Sequence, residues 1–204
     1  MAAVRKLCRR LWVLPVAAMV LTVPVSAKTS YQTYTYSYQG DVQISPNVYT
    51  PLYELSDFGL ELPLDKPQDM VVDKERGRIA IADTGNSRIV VLNTDFQCLQ
   101  ILTDYTDAQG NPVSFKEPQG VFVRDDGMLY VADTGNANIV SFDTSYRQAA
   151  FYPALSASIL PDNFIYSPKA LAVDHTGRMY VISRNTNMGV IALDKEGGFQ
   201  GFIG

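Results

Sequence analysis

The chain is poor in the side chains that do most polar chemistry. Its 204 residues hold one histidine, two cysteines and one tryptophan. A lone histidine, His175, set among turn residues, removes Ser-His-Asp and Cys-His catalysis and the HExxH zinc motif. No GxGxxG, P-loop or GxSxG sequence occurs. No cluster of lysine or arginine appears beyond the first ten residues, which argues against nucleic acid, because phosphate neutralisation supplies most of that affinity. No stretch sustains a 3.6-residue apolar period, so helices are not expected.

What the N-terminus does have is a leader pattern. Arg5, Lys6, Arg9 and Arg10 precede an apolar run over residues 11–24, and Val25-Ser26-Ala27 follows with small or modest residues. A basic segment, an apolar segment and an A-x-A-like site make a secretory signal peptide. The apolar run is 14 residues long and broken by Pro15 and Pro24, short of the roughly 20 that a membrane-crossing helix needs. Loss of residues 1–27 leaves 13 Lys+Arg against 21 Asp+Glu, a formal charge of −8. The expected setting is secreted or extracytoplasmic. Only Cys98 then remains, so no internal disulfide forms; in the run QCLQIL it is expected to pack as a small apolar side chain.

Internal repetition organises the rest. Three units begin at Lys66 (KPQDMVVD), Glu117 (EPQGVFVR) and Ser167 (SPKALAVD), with Pro67, Pro118 and Pro168 about fifty residues apart. Asp-Thr-Gly-Asn occurs at 83–86 and again at 133–136, and the same slot in the third unit reads Ser183-Arg184-Asn185-Thr186. Within each unit, apolar runs rich in Val, Ile and Tyr alternate with Gly/Asn/Asp clusters, which predicts four short strands joined by hairpins. In the first unit these are Asp69–Val72, Ile79–Ala82, Arg88–Leu92 and Cys98–Leu102. Runs apolar on both faces, such as Ile89–Leu92, suit strands sandwiched between stacked sheets. The chain is therefore expected to be all-β, a β-propeller of four-stranded blades over residues 65–102, 116–152 and 166–204.

The pattern Pro-x-x-apolar-apolar-Val-Asp, followed by Ala-Asp-Thr-Gly-Asn-x-Arg-Ile, resembles the NHL repeat; the resemblance spans residues 65–204. The third unit departs from it, with no Asp at 183 and no Asn-x-Arg-Ile. Three units make an incomplete ring, since propellers usually have four to eight blades. Two readings stay open: the chain is the N-terminal part of a longer protein, or two copies associate into a six-blade ring. The resemblance adds that membrane association would come only through segments these residues do not hold. Residues 28–64 form a lead-in. Alternation of Tyr34, Tyr36 and Tyr38 with Thr33, Thr35 and Ser37 predicts a strand there, read as a ring-closing strand or as an aromatic platform for sugar.

Strand alternation places the DTGN turns on the same end of the blades as the connections between blades. Both long inserts, Thr103–Ser114 and Pro153–Tyr166, leave from that end. Binding residues favour loops held by a rigid scaffold, so this long-loop face is the expected binding face. Its candidates are Gln68, Asp69, Gln119, Lys169, Arg184 and Asn185; each is equally at home as a solvated rim residue. The DTGN turn itself reads as a tight hairpin in which Gly takes a positive φ. A ring of its Asp and Asn side chains around a ligand is the alternative.

No catalytic residue is expected. The expected function is a binding module for a protein, peptide or glycan. The alternative is a metal-dependent lactonase-like or lyase-like enzyme. Propeller hydrolases that the resemblance points to hold zinc or calcium with several His, Glu and Asp residues around the axis. This chain offers only Asp69, Asp83 and Asp133 as oxygen ligands, so calcium is the one cofactor left open. Export from a bacterial host should yield a mature N-terminus at Lys28, read by N-terminal sequencing or intact mass; a chain still starting at Met1 contradicts the leader reading.

Overall fold

The protein is described by a computed structural model covering residues 33–45, 58–156, 160, 163–184 and 186–204. The leader, Asn185 and part of the second insert lie outside the described residues. Contacts divide the chain into two units, ending and beginning at Glu54 and Leu55.

The first unit contains a hairpin. Strand β1 (Thr33–Tyr36) pairs antiparallel with β2 (Val42–Ser45), Thr33 opposite Ser45 and Tyr36 opposite Val42. The Thr/Tyr alternation thus makes a strand as expected. Tyr34 and Tyr36 meet edge to face at 5.7 Å, both exposed, while Tyr38 falls in the turn. The ladder partner of β1 is β2.

The second unit contains three four-stranded antiparallel sheets. Blade 1 is β3 (Asp69–Asp73), β4 (Arg78–Asp83), β5 (Arg88–Asn93) and β6 (Cys98–Leu102). After a small hairpin of β7 (Asp104–Thr106) and β8 (Pro112–Ser114), blade 2 follows as β9 (Pro118–Val123), β10 (Leu129–Asp133), β11 (Asn138–Phe142) and β12 (Gln148–Tyr152). Blade 3 is β13 (Pro168–Val173), β14 (Met179–Ser183), β15 (Val190–Leu193) and β16 (Phe199–Ile203). In every blade the strands lie in chain order, each paired with the next. The architecture is that of partial β-propeller blades. The only helical turns among the described residues are 3₁₀ turns at Thr84–Asn86 and Thr134–Asn136. No helix among them is long and apolar enough to cross a membrane.

Both faces of each sheet carry apolar side chains because each sheet is stacked. Ala80, Ile89 and Val91 of blade 1 pack on Val121, Leu129, Val131 and Val140 of blade 2. Tyr130, Ile139 and Tyr152 on the other face of blade 2 pack on Met179, Val181, Ile191 and Leu193 of blade 3. Each such side chain contributes about 1.5–3 kcal/mol by leaving water. The outward face of blade 1 has its own cover: Phe58, Leu60 and Leu64 of the lead-in lie over Ile81, Val90 and Leu92, leaving Met70 and Val72 exposed beside them. The outward face of blade 3 exposes Ile182 and Ile203.

Cys98 differs from expectation. It is exposed, because it opens β6, the outermost strand of blade 1, whose first four residues all face solvent. The strand boundaries of blade 1 otherwise match the sequence reading to within one residue.

The blades are also tied by hydrogen bonds. The Thr84 hydroxyl donates to the Pro118 carbonyl at 2.6 Å, and the Thr134 hydroxyl donates to the Pro168 carbonyl at 2.6 Å. Both hydroxyls are buried, so each loss leaves a carbonyl without its donor. Replacing Thr134 by Val, close in volume, is expected to cost about 1–3 kcal/mol. A guanidinium unfolding curve should show the lower midpoint with an unchanged slope; an unaltered midpoint would remove the staple from the account of stability.

Candidate functional site

The DTGN turns sit at one end of the blades, and their four residues divide the work of building it. Asp83 is wholly buried. Its Oδ1 accepts from the Asp65 backbone N–H at 2.7 Å, and its Oδ2 accepts from Asn86 Nδ2 at 2.9 Å and Arg88 Nε at 2.7 Å. Asp133, also wholly buried, accepts from the Lys116 N–H at 2.9 Å, Asn136 Nδ2 at 2.8 Å and the Tyr105 hydroxyl at 2.8 Å. In blade 3 the Ser183 hydroxyl accepts from the Ser167 N–H at 2.8 Å, doing the first of these jobs without a charge. The Asp clamps the chain entering its own blade, and the Thr staples the next blade. The Asn bonds the entering chain again, Asn86 to the Pro63 carbonyl and Asn136 to the Ser114 carbonyl.

The glycine has a different reason from the expected one. Gly85 and Gly135 do not adopt positive φ; that falls on Ser87 (φ 51°) and Ala137 (φ 56°), which close the 3₁₀ turns. A side chain at Gly85 would run into Asp65, and one at Gly135 would sit 2.5 Å from the Lys116 carbonyl oxygen. Glycine is needed because the entering chain passes directly over the turn.

Blades 1 and 2 differ in what neutralises the buried aspartate. Asp83 has the Arg88 guanidinium, which also donates to the Leu62 carbonyl at 2.5 Å. At the matching position of blade 2 stands Asn138, and the missing donor comes from the insert: the Tyr105 hydroxyl donates to Asp133 and accepts from Asn138 Nδ2 at 2.7 Å. Burial pushes the Asp133 carboxyl above its usual value, an effect opposed by the Lys116 N–H, Asn136, Tyr105 and the Lys116 charge. Burial, with the Asp133 charge adding to it, pushes the Tyr105 phenol up to about 12. The sequence held no signal for this tyrosine beyond its place in a long insert.

Tyr105 fixes how that insert lies. Its ring packs against Phe115 and Phe151, with centroids 5.1 and 6.0 Å away. One residue on, the Thr106 N–H donates to Gln148 Oε1 at 2.7 Å and the Thr106 carbonyl accepts from Gln148 Nε2 at 2.7 Å. The β7–β8 hairpin therefore lies against β12 instead of standing as a loop on the long-loop face. An open cleft of about 520 Å³ runs between it and β6, lined by Gln100, Thr103, Asp104, Arg147 and Gln148 among others.

The candidates named from sequence are placed as follows. Asp69 Oδ2 accepts from the Val121 N–H at 3.0 Å, another tie between blades 1 and 2. Gln68 is exposed at the start of blade 1, its N–H bonded to the Ala82 carbonyl. Gln119 is 4% exposed, and Arg184 reaches it across the blade 2–blade 3 junction, Nη2 to Oε1 at 3.0 Å. Lys169 is exposed. Asn185 lies outside the described residues. Asp69, Asp83 and Asp133 each serve a separate hydrogen-bond set, and no three His, Cys, Asp or Glu side chains among the described residues gather as a metal-binding group. His175 is exposed in the β13–β14 turn, at the opposite end of the blade.

The Tyr105 phenol has a folded value raised above its ordinary 10.0, so the stability it contributes is complete below pH 10 and is lost as pH rises through about 12. Thermal melts between pH 9 and 12 should fall steeply for the native chain. Replacing Tyr105 by Phe should lower stability at pH 7 by about 1–3 kcal/mol, because Asp133 loses a donor, and should flatten the alkaline fall. Parallel curves for the two proteins would contradict the assignment.

The comparisons agree with this geometry. The family model described as NHL repeat matches residues 64–92. A search of curated proteins gives no match. Among solved structures, a chain of a nidogen/laminin complex superposes with a TM-score of 0.53 at 19% identity, over 69% of this chain and 48% of that one. The WD40 repeats of RRP9 superpose with a TM-score of 0.50 at 14% identity, over 68% and 38%. A streptogramin B lyase gives 0.47 at 15% identity, over 70% and 42%. The chain spans less than half the length of each of these proteins. Residues 64–92 are an NHL repeat, and the chain is built of the blades of a β-propeller.

Proposed function

We propose that the chain is an extracytoplasmic binding module that holds a protein, peptide or glycan partner on its DTGN face. One observation carries this reading. The repeated Asp, Thr, Gly and Asn of that face are consumed in clamping and stapling blades. Residues left exposed there differ from blade to blade: Lys66 against Glu117, Gln68 against Lys169, and Arg184 in the slot of Thr84 and Thr134. A scaffold that spends its repeated residues on rigidity and varies its rim is suited to recognition. Blades of this architecture occur in a nidogen/laminin complex, an assembly of proteins, which supports a protein partner in general terms. A metal-dependent enzyme is the competing reading, and the fold alone admits both.

The test uses the purified chain and an extracytoplasmic fraction of the producing organism. Lys66→Glu and Glu117→Arg on the DTGN face should abolish retention of a partner that Lys195→Glu and His175→Glu, on the opposite face, leave intact. EDTA should leave the melting temperature unchanged. Loss of retention by the opposite-face variants instead would move the site. A stoichiometric metal, with a melting temperature that drops on EDTA, would replace this reading with the metalloenzyme.

A further inference from the structure

Blade 3 breaks the repeat at two neighbouring places, and both breaks introduce a cation. Lys169 stands where blades 1 and 2 have Gln68 and Gln119, and Arg184 stands where they have Thr84 and Thr134. The second change replaces the Thr hydroxyl of the earlier turns with a guanidinium that reaches back to Gln119 of blade 2. The backbone brings the two together: Pro168 pairs with Ser183, and the Arg184 N–H donates to the Ser167 carbonyl at 2.9 Å. The Lys169 carbonyl in turn lies 2.5 Å from where a Cβ on Gly120 would be, so β13 runs close beside the residue that follows Gln119.

Gln119 completes the group. Its Oε1 is taken by Arg184, which orients its Nε2 amide; that amide donates to no group among the described residues. Neither the Lys169 ammonium nor the Arg184 guanidinium has an acidic partner among the described residues. The nearby carboxylate, Asp69, is spent on the Val121 and Met70 N–H groups. The result is a set of donors with no carboxylate partner: a planar guanidinium, an ammonium and the amide of Gln119.

We infer that Gln119, Lys169 and Arg184 form a binding site for a single carboxylate group of the ligand, such as that of a peptide. Charge-assisted bonds from a guanidinium fork and an ammonium are the strong ones for this group. A polyanion is disfavoured, because the chain carries 21 acidic against 17 basic residues and Asp65, Asp69 and Glu117 share this end of the blades. The inference rests on the DTGN face being the binding face, and it adds the chemistry recognised there.

The probe is sodium acetate, with sodium phosphate at matched ionic strength as the second arm, titrated into the full chain labelled with nitrogen-15. The Gln119 side-chain NH₂ and the Arg184 Nε–H signals should shift and saturate with acetate in the millimolar range. Arg184→Gln and Lys169→Gln, both at exposed positions, should each weaken acetate by about tenfold. Gln119→Glu, which supplies a carboxylate within the chain, should abolish the acetate response while the melting temperature stays within a few degrees. Shifts that never saturate, or lysine and arginine variants that bind acetate as tightly as the native chain, would overturn the site. Saturation by phosphate without acetate would overturn the carboxylate. If acetate fails while Lys66→Glu and Glu117→Arg still abolish partner retention, the binding face stands and only this assignment falls.

Discussion

A four-stranded sheet that is apolar on both sides has no stable existence alone. This constraint governs the three blades: each sheet needs a neighbour, and stacking supplies one. Val131 and Val140 on one side of blade 2, and Tyr130 and Ile139 on the other, are buried only because blades 1 and 3 flank them. Where no blade flanks blade 1, the lead-in residues Phe58, Leu60 and Leu64 do the covering. The fifty-residue period is the sequence form of the same requirement, since every unit presents the same two surfaces.

Stacking leaves the blade ends to be organised by polar groups, and these follow one plan with graded chemistry. The entering chain is clamped by an aspartate with an arginine in blade 1, by an aspartate with a tyrosine in blade 2 and by a neutral serine in blade 3. A buried carboxylate without a cation is costly unless it gathers hydrogen bonds, which accounts for the three donors around Asp133 and for the insert being held by Tyr105. Each blade solves the same problem with the residues it has, and the departures from consensus coincide with the inserted hairpin and the cationic rim of blade 3.

Much of this was legible in the chain itself. Apolar bursts between Gly/Asn/Asp clusters placed the strands of blade 1 to within a residue, because strand period and turn chemistry are local properties. What escaped was non-local. The role of Gly85 depends on Asp65 passing overhead, a contact no turn rule encodes. Cys98 reads as apolar in its run but opens an outermost strand, and exposure there is decided by the number of strands outside it. The β7–β8 hairpin was visible only as a long insert; its course is set by Gln148 and Phe151, more than forty residues on. Of the candidate site, the sequence singled out Gln119, Lys169 and Arg184 as separate residues, and the junction of blades 2 and 3 joins them.

The Thr84 and Thr134 hydroxyls run forward, each from one blade to the next, and Arg184 in the third slot bonds back to Gln119 of blade 2. Among the described residues, blade 2 is therefore stapled on both sides and packed between two other blades. Strands β10 and β11, buried throughout, should accordingly be the last of the described strands to open. Turns carried at the ends of such a centre keep their register from blade to blade while their side chains are free to differ.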